Sequence, residues 1–320
     1  MNAPNATNAT GTTLRTDDGR SVLRFQRRLA HPVDKVWSAI TQPAHLANWF
    51  PSQVEMDFRI GGKLRFVFAH GEGPTLDGEI LELDPPHVFA YSWDDSVLRF
   101  ELLPEADGCT LVFTHTFADR PAAASFAAGW TACLDHLDAL LDGKPGEVTS
   151  PPWQELHEDY VERFGLLEGT LERTGGYWTL RFERQLTRPA AEVWTAMLDG
   201  AGDAPPKLGD PAPSGLTNRF VLAGPVIAVE PPRLLEYAWR SGERDAGRVR
   251  WSLSDGQGGA RLVLTQSFPV ALQEQRSTLL AAWHTWIELL AERLRSGSAP
   301  RGWPSGRTEE LRRRYAERTR

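Results

Sequence analysis

Two alternating runs each set one hydrogen-bonding side chain into an apolar row. In Leu111-Val112-Phe113-Thr114-His115-Thr116-Phe117, period-2 alternation puts His115 on the face of Leu111, Phe113 and Phe117. Further on, Gln266 shares a face with Leu262, Leu264 and Phe268. Such a residue can orient a ligand, and His115 could also act as a general acid or base. The plainer alternative is a histidine satisfied by neighbouring backbone. Arg27 and Arg184 fall on the apolar side of their own runs. An inward arginine could grip a carboxylate through two parallel bonds, and a bulge or a salt bridge to an acidic neighbour fits equally well.

No motif supplies a reaction. The sequence has no HExxH, no zinc-type cysteine spacing, no Gly-x-Ser-x-Gly, no phosphate-binding glycine loop and no Rossmann fingerprint. None of the eight histidines forms an i, i+4 pair. No catalytic residue, metal or cofactor is expected, and any activity would rest on isolated polar groups inside a cavity.

Twelve tryptophans are the compositional oddity. Large rings fill cores, and they also line pockets for wide, flat or elongated ligands. Trp49, Phe66, Phe68, Trp93, Phe100, Phe113 and Trp130 are candidate walls in the first half of the chain. Trp239, Trp251, Trp283 and Trp286 are their counterparts in the second.

These residues sit on elements that occur twice. Arg24–Trp37 reads RFQRRLAHPVDKVW and Arg181–Trp194 reads RFERQLTRPAAEVW, 157 residues later. Asp84-Pro85-Pro86 answers Glu230-Pro231-Pro232, Tyr91-Ser92-Trp93 answers Tyr237-Ala238-Trp239, and Ala128-Gly129-Trp130 answers Ala281-Ala282-Trp283. A period this long means domain duplication. Each copy is expected to open with a strand (Leu23–Leu29 in the first) and a short helix begun at Pro32. Strand-like runs follow at Leu64–Phe68, Gly78–Leu83, Val88–Trp93, Leu98–Leu103 and Cys109–Phe117, broken by turn residues as in an antiparallel meander. A long helix then presents Phe126, Trp130, Cys133, Leu134, Leu137 and Leu141 on one stripe. Its counterpart presents Leu279, Trp283, Trp286, Ile287, Leu290 and Leu294. A last short helix carries Leu156 and Tyr160, matched by Leu311 and Tyr315. The spacing predicts a tail over 1–10, a first domain over 11–166 and a second over 167–320.

A formal charge of −7 without a basic stripe argues against nucleic acid. No apolar run reaches the ~20 residues of a membrane span, and the polar start lacks the apolar stretch of a signal peptide. Two cysteines make no disulfide framework, so a cytoplasmic protein is expected.

Pro32 through Val36-Trp37-Ser38-Ala39-Ile40-Thr41, His45-Leu46-Ala47-Asn48-Trp49-Phe50, Gly78-Glu79-Ile80 through Pro85-Pro86, Thr114-His115-Thr116-Phe117 and Gly129-Trp130 through Cys133-Leu134-Asp135 carry a resemblance. The sequence resembles the SRPBCC (START/Bet v1-like) superfamily, in its branch related to the activator of Hsp90 ATPase. That resemblance implies an α+β fold of two tandem helix-grip domains, each a curved antiparallel sheet gripping a long helix around an apolar cavity. It implies a non-enzymatic binder of a hydrophobic small molecule. Similar tandem proteins occur in actinobacterial natural-product pathways, including enediyne ones. A polyketide, polyene or polycyclic aromatic is therefore the expected ligand, for biosynthesis or self-resistance beside a biosynthetic enzyme. A polyketide cyclase/aromatase and a co-chaperone of an Hsp90-type ATPase are the alternatives.

The second copy departs from the pattern. It is 11 residues shorter between Trp194 and Pro231 than the first is between Trp37 and Pro85. It lacks counterparts of His45–Phe50 and of the first hairpin, and carries a Pro/Gly/Ala-rich stretch, Gly200–Gly215, that reads as loop. The expectation is a second grip shortened around 198–225, open on that side toward the first domain, with one elongated cavity across both.

Overall fold

Asp18 and Gly19, with φ of 46° and 76°, close a two-residue turn just ahead of the first expected strand. In the computed structural model this turn joins β1 (Thr13–Asp17) to β2 (Arg20–Leu29). The structure describes residues 11–68, 75–144, 146, 148, 150–198, 206–218, 220, 222–242, 244–256, 258–298 and 302–318. The tail expected over 1–10 lies outside them.

The chain divides into two units, residues 1–160 and 161–320. In the first, α1 (Val33–Thr41) and α2 (Pro43–Leu46) follow β2. The strands β3 (Gln53–Met56), β4 (Lys63–Val67), β5 (Leu76–Asp84), β6 (Val88–Trp93), β7 (Ser96–Glu105) and β8 (Gly108–Phe117) lead to the long helix α3 (Ala123–Leu141) and to α4 (Trp153–Arg163), which begins in this unit and ends just past the boundary. The eight strands form one antiparallel sheet in the order β1-β2-β8-β7-β6-β5-β4-β3. Alternation is visible in burial: Leu98, Phe100 and Leu102 are buried on β7, with half-buried residues between them.

The second unit contains β9 (Thr170–Thr174), β10 (Tyr177–Gln185), α5 (Ala190–Leu198), β11 (Leu222–Glu230), β12 (Leu234–Ser241), β13 (Arg244–Gly256), β14 (Gly259–Pro269), α6 (Arg276–Ser296) and α7 (Ser305–Arg318). Its sheet has six strands, in the order β11-β12-β13-β14-β10-β9. Among the described residues nothing corresponds to α2 or β3, and of β4 only a bridge of Pro211 to Pro225 is present, flanked by backbone bonds of Gly209, Asp210 and Ala212 to β11. Both units therefore open with a hairpin and not with the single strand expected from the apolar pattern. The Pro85-Pro86 and Pro231-Pro232 peptides are both cis, a further mark of duplication.

Each sheet packs its inner face against its long helix. On α3 the buried stripe is Ala123, Ala127, Trp130, Leu134, Leu137 and Leu141; Phe126 and Cys133 flank it, half-buried. On α6 it includes Leu279, Trp283, Ile287 and Leu290. This is the helix-grip arrangement, present twice.

Among the described residues no helix is long and apolar enough to cross a membrane.

Candidate functional site

The ladder fixes where the inward side chains meet. His115 on β8 lies opposite Leu98 on β7, which lies opposite Tyr91 on β6. Gln266 on β14 lies opposite Val249 on β13, which lies opposite Tyr237 on β12. The two polar residues thus hold equivalent points of two equivalent lattices.

In the first unit the inward face is a continuous aromatic cluster. Phe100 stacks on Phe113 at 4.6 Å, and Trp130 descends from α3 to meet Phe113 edge-on at 4.7 Å. Trp93 lies 5.6 Å from Trp130 and 6.3 Å from Phe66, and Phe68 stacks on Trp93 at 6.4 Å. Trp49 meets Phe100 at 6.2 Å and ties its indole N–H to the Ala39 carbonyl at 2.9 Å. Phe66, Phe100 and Phe113 are sealed, whereas Phe68 and Trp93 remain half-buried at the edge of the cluster.

His115 is fully buried within it, 4.6 Å from the Phe126 ring. Its Nδ1 accepts the Trp130 indole N–H at 3.1 Å, so the ring hydrogen is on Nε2. Burial, helped by the positive charge of Arg20, pushes its pKa from the usual 6.5 down to about 3. A neutral imidazole of that kind is a hydrogen-bond donor and acceptor, not a proton shuttle near neutral pH.

Arg27 shares the inward row, opposite Leu111. Its guanidinium meets Asp135 at 2.8 Å and Asp138 at 2.7 Å, both from the C-terminal half of α3. Burial raises the Asp138 carboxyl, and the Arg27 charge and hydrogen bond pull against it. Close by, His31 Nε2 lies 2.8 Å from Asp142, and Lys35 donates to the Leu141 carbonyl. The arginine is engaged within the protein, and it joins the helix to the first long strand.

In the second unit Trp283 donates its indole N–H to Gln266 Oε1 at 2.6 Å. Trp251 lies 5.3 Å from Trp283 and 4.5 Å from Trp286, while Trp239 meets Phe268 at 6.3 Å. Arg184 is 1% exposed and donates to the Gln185 carbonyl at 3.2 Å.

The side of this unit that was expected to be open is occupied. Residues 213–218 come over it, with Leu216 wholly buried. Tyr237 donates its hydroxyl to the Leu216 carbonyl at 2.6 Å, and Trp286 its indole N–H to the Gly215 carbonyl at 2.9 Å. An apolar residue flanked by two backbone acceptors lets an irregular segment fill the space vacated by strands. The residues preceding it, 199–205, lie outside the described part.

A polar network missed in the sequence docks the last helix. Gly169 donates its N–H to Tyr315 Oη at 2.9 Å, and Tyr315 Oη lies 2.8 Å from His284 Nδ1. His284 Nε2 faces Glu288 at 3.3 Å, and Arg307 reaches the same carboxylate at 2.8 Å. Burial alone would raise Glu288, but the bonds and charges of His284 and Arg307 outweigh it and bring the group down to about 2. The corresponding Tyr160 bonds Thr131 on α3 at 2.8 Å. The repetition marks both tyrosines as docking groups. Beside Tyr315 a cleft of about 590 Å³ is lined by Trp178, Gln273, Arg276, Leu280 and Arg318, none of them anticipated as site residues.

Among the described residues no three His, Cys, Asp or Glu side chains converge as metal ligands. Cys109 and Cys133 are free thiols, and burial pushes Cys133 up to about 12.

A curved antiparallel sheet gripping a long helix, twice in one chain, defines a tandem START/Bet v1-like protein. The family model described as activator of Hsp90 ATPase homolog 1-like protein matches residues 30–142 and 208–295, more than half of the chain, which therefore belongs to that family. Among solved structures, EF2215 from Enterococcus faecalis, a conserved protein of unknown function, is similar at 19% identity. The match covers 49% of this chain and 91% of that chain, with a TM-score of 0.44. CalU16 from Micromonospora echinospora is similar at 27% identity over 48% of this chain and 94% of that chain, with a TM-score of 0.40. MLL2253 from Mesorhizobium loti is similar at 26% identity over 38% and 97%, with a TM-score of 0.35. No curated protein matches the chain.

Proposed function

We propose that this protein binds a hydrophobic small molecule between the long helix and the sheet, and that it does so without transforming it. The observation that carries this reading is the ring-lined inner face around His115, whose imidazole is neutral. Trp93, Phe113, Trp130 and His115 in the first unit, and Trp239, Trp251, Trp283, Trp286 and Gln266 in the second, are the residues proposed to meet ligand. Apolar burial at ~25 cal/mol per Å² gives a polycyclic aromatic, polyene or polyketide useful affinity without a dedicated motif. A cytoplasmic role in biosynthesis of, or self-protection against, an enediyne-type or related natural product, beside a biosynthetic enzyme, fits that ligand class.

Native mass spectrometry of protein isolated from its own host tests the reading. A co-purifying apolar mass supports it. A bare chain that also fails to quench on titration with apolar fluorophores overturns it.

Membership in a family described by Hsp90 ATPase activation favours a second reading, a co-chaperone. Stimulation of an Hsp90-type ATPase by the purified chain would support it, and no stimulation at stoichiometric excess would remove it. The cyclase reading has less support, because a histidine held at about 3 is a poor acid or base at neutral pH.

A further inference from the structure

The two units meet one local requirement with different side chains. His115 and Gln266 are both fully buried, and both accept an indole N–H from the long helix above. Each then has a donor left over, the Nε2–H of the imidazole and the Nε2–H₂ of the carboxamide. Both nitrogens are sealed from solvent and have no partner among the described residues. One strand beyond the neighbouring β7 and β13, two residues past Tyr91 on β6 and Tyr237 on β12, the pattern repeats. The indole nitrogens of Trp93 and Trp239 are likewise sealed and unpartnered, and the Trp93 ring lies 6.1 Å from His115.

Imidazole and carboxamide share little beyond an acceptor on one side and a donor on the other. Only one of them titrates, so proton transfer is not what the two copies have in common. A buried donor without an acceptor is costly, and native proteins leave few of them. The same omission at matching positions of two diverged copies is therefore a property of the site.

We infer that each unit presents a pair of neutral donors, His115 with Trp93 and Gln266 with Trp239, to the keto or quinone oxygen of an otherwise apolar ligand. This rests on the binder reading above and narrows it. A bare hydrocarbon leaves the donors unmet, an ammonium group offers no acceptor, and a carboxylate finds no charge in the pair to offset its desolvation. The half-buried Trp93 and Phe126 rings lie beside His115 at the edge of the cluster, where such an oxygen would pass.

The test is titration of the full chain with 9,10-anthraquinone and with anthracene, which share a ring framework and differ in the two carbonyls. Tryptophan quenching should show the quinone binding about tenfold tighter or more. In His115→Leu/Gln266→Leu the ratio of the two affinities should fall to within about threefold. In His115→Gln, which keeps the donor, the preference should survive. Equal affinities in the unmodified protein overturn the donor assignment and leave the binder reading standing, the donors then being met by water. Failure of both probes to bind overturns both. The unmodified protein decides even where a leucine variant fails to fold.

Discussion

The Trp283 indole N–H donates to Gln266 Oε1 at 2.6 Å, fastening the long helix of the second unit to the strand beneath it. Trp130 and His115 make the same bond at 3.1 Å in the first. Gln266 therefore shows what His115 does structurally, with the titration removed.

Replacing His115 by Gln should flatten the acid limb of stability. In the fold His115 stays unprotonated down to about pH 3, but in the unfolded chain it takes a proton below its usual 6.5. Unfolding thus takes up a proton between those values. The stability is complete above pH 6.5 and falls by about 1.4 kcal/mol per pH unit below it. Glu288, held at about 2, adds its own loss below 4.5, so the comparison belongs between pH 5 and 7. Urea midpoints for the two proteins should diverge there, and parallel curves would contradict the assignment.

Arg27→Met should destabilise the first unit by about 1–3 kcal/mol. It strands the carboxylates of Asp135 and Asp138, and both ends of these pairs are partly exposed, which reduces the loss from a fully buried value. Adding Asp138→Asn should recover part of it. Thermal melts of the single and double variants measure both.

Tyr315→Phe should cost about 1–2 kcal/mol, since it removes the acceptor of the Gly169 N–H and the partner of His284 Nδ1. Gly169→Ala at the same junction should cost more. A Cβ there would lie 2.5 Å from the Phe182 ring and 2.7 Å from Leu280. Chemical denaturation ranks the two, and the reverse order would show that the packing relaxes freely.

Leu216→Ala should cost about 2–4 kcal/mol, the range for emptying a well-packed leucine site. Trp286 fluorescence should shift to the red as water reaches its ring. A change below 1 kcal/mol would mean that the segment over Tyr237 is not part of the core.

Much of the architecture was legible because its signals are local. The RFQRRL and RFERQL strands, the Pro-initiated helices and the one-stripe long helices all announce themselves within a few residues. The edge strand β1 did not, because four of its five residues are exposed and it carries no apolar period. The Asp18-Gly19 and Gly175-Gly176 turns were its available signal. The face occupied by His115, Gln266 and Arg27 followed from alternation. Their partners did not: Asp138 lies 111 residues from Arg27, and Trp130 reaches His115 only through the pitch of a helix over a sheet. Residues 213–218 were opaque for the same reason. An irregular segment has no period, and what Leu216 plugs depends on rings more than 20 residues away.

The ion pairs of α3 are distributed unevenly along its length. Arg27, His31 and Lys35 hold Asp135, Asp138 and the Leu141 carbonyl in the last two turns and Asp142 just past the end. The first turns, around Phe126, hold the sheet mainly through ring contacts with His115 and Phe117. Mechanically the helix is a lever clamped at its carboxyl end. A load that prises it from the sheet meets charge at one end and only oil at the other, so the Phe126 end is where the grip yields first.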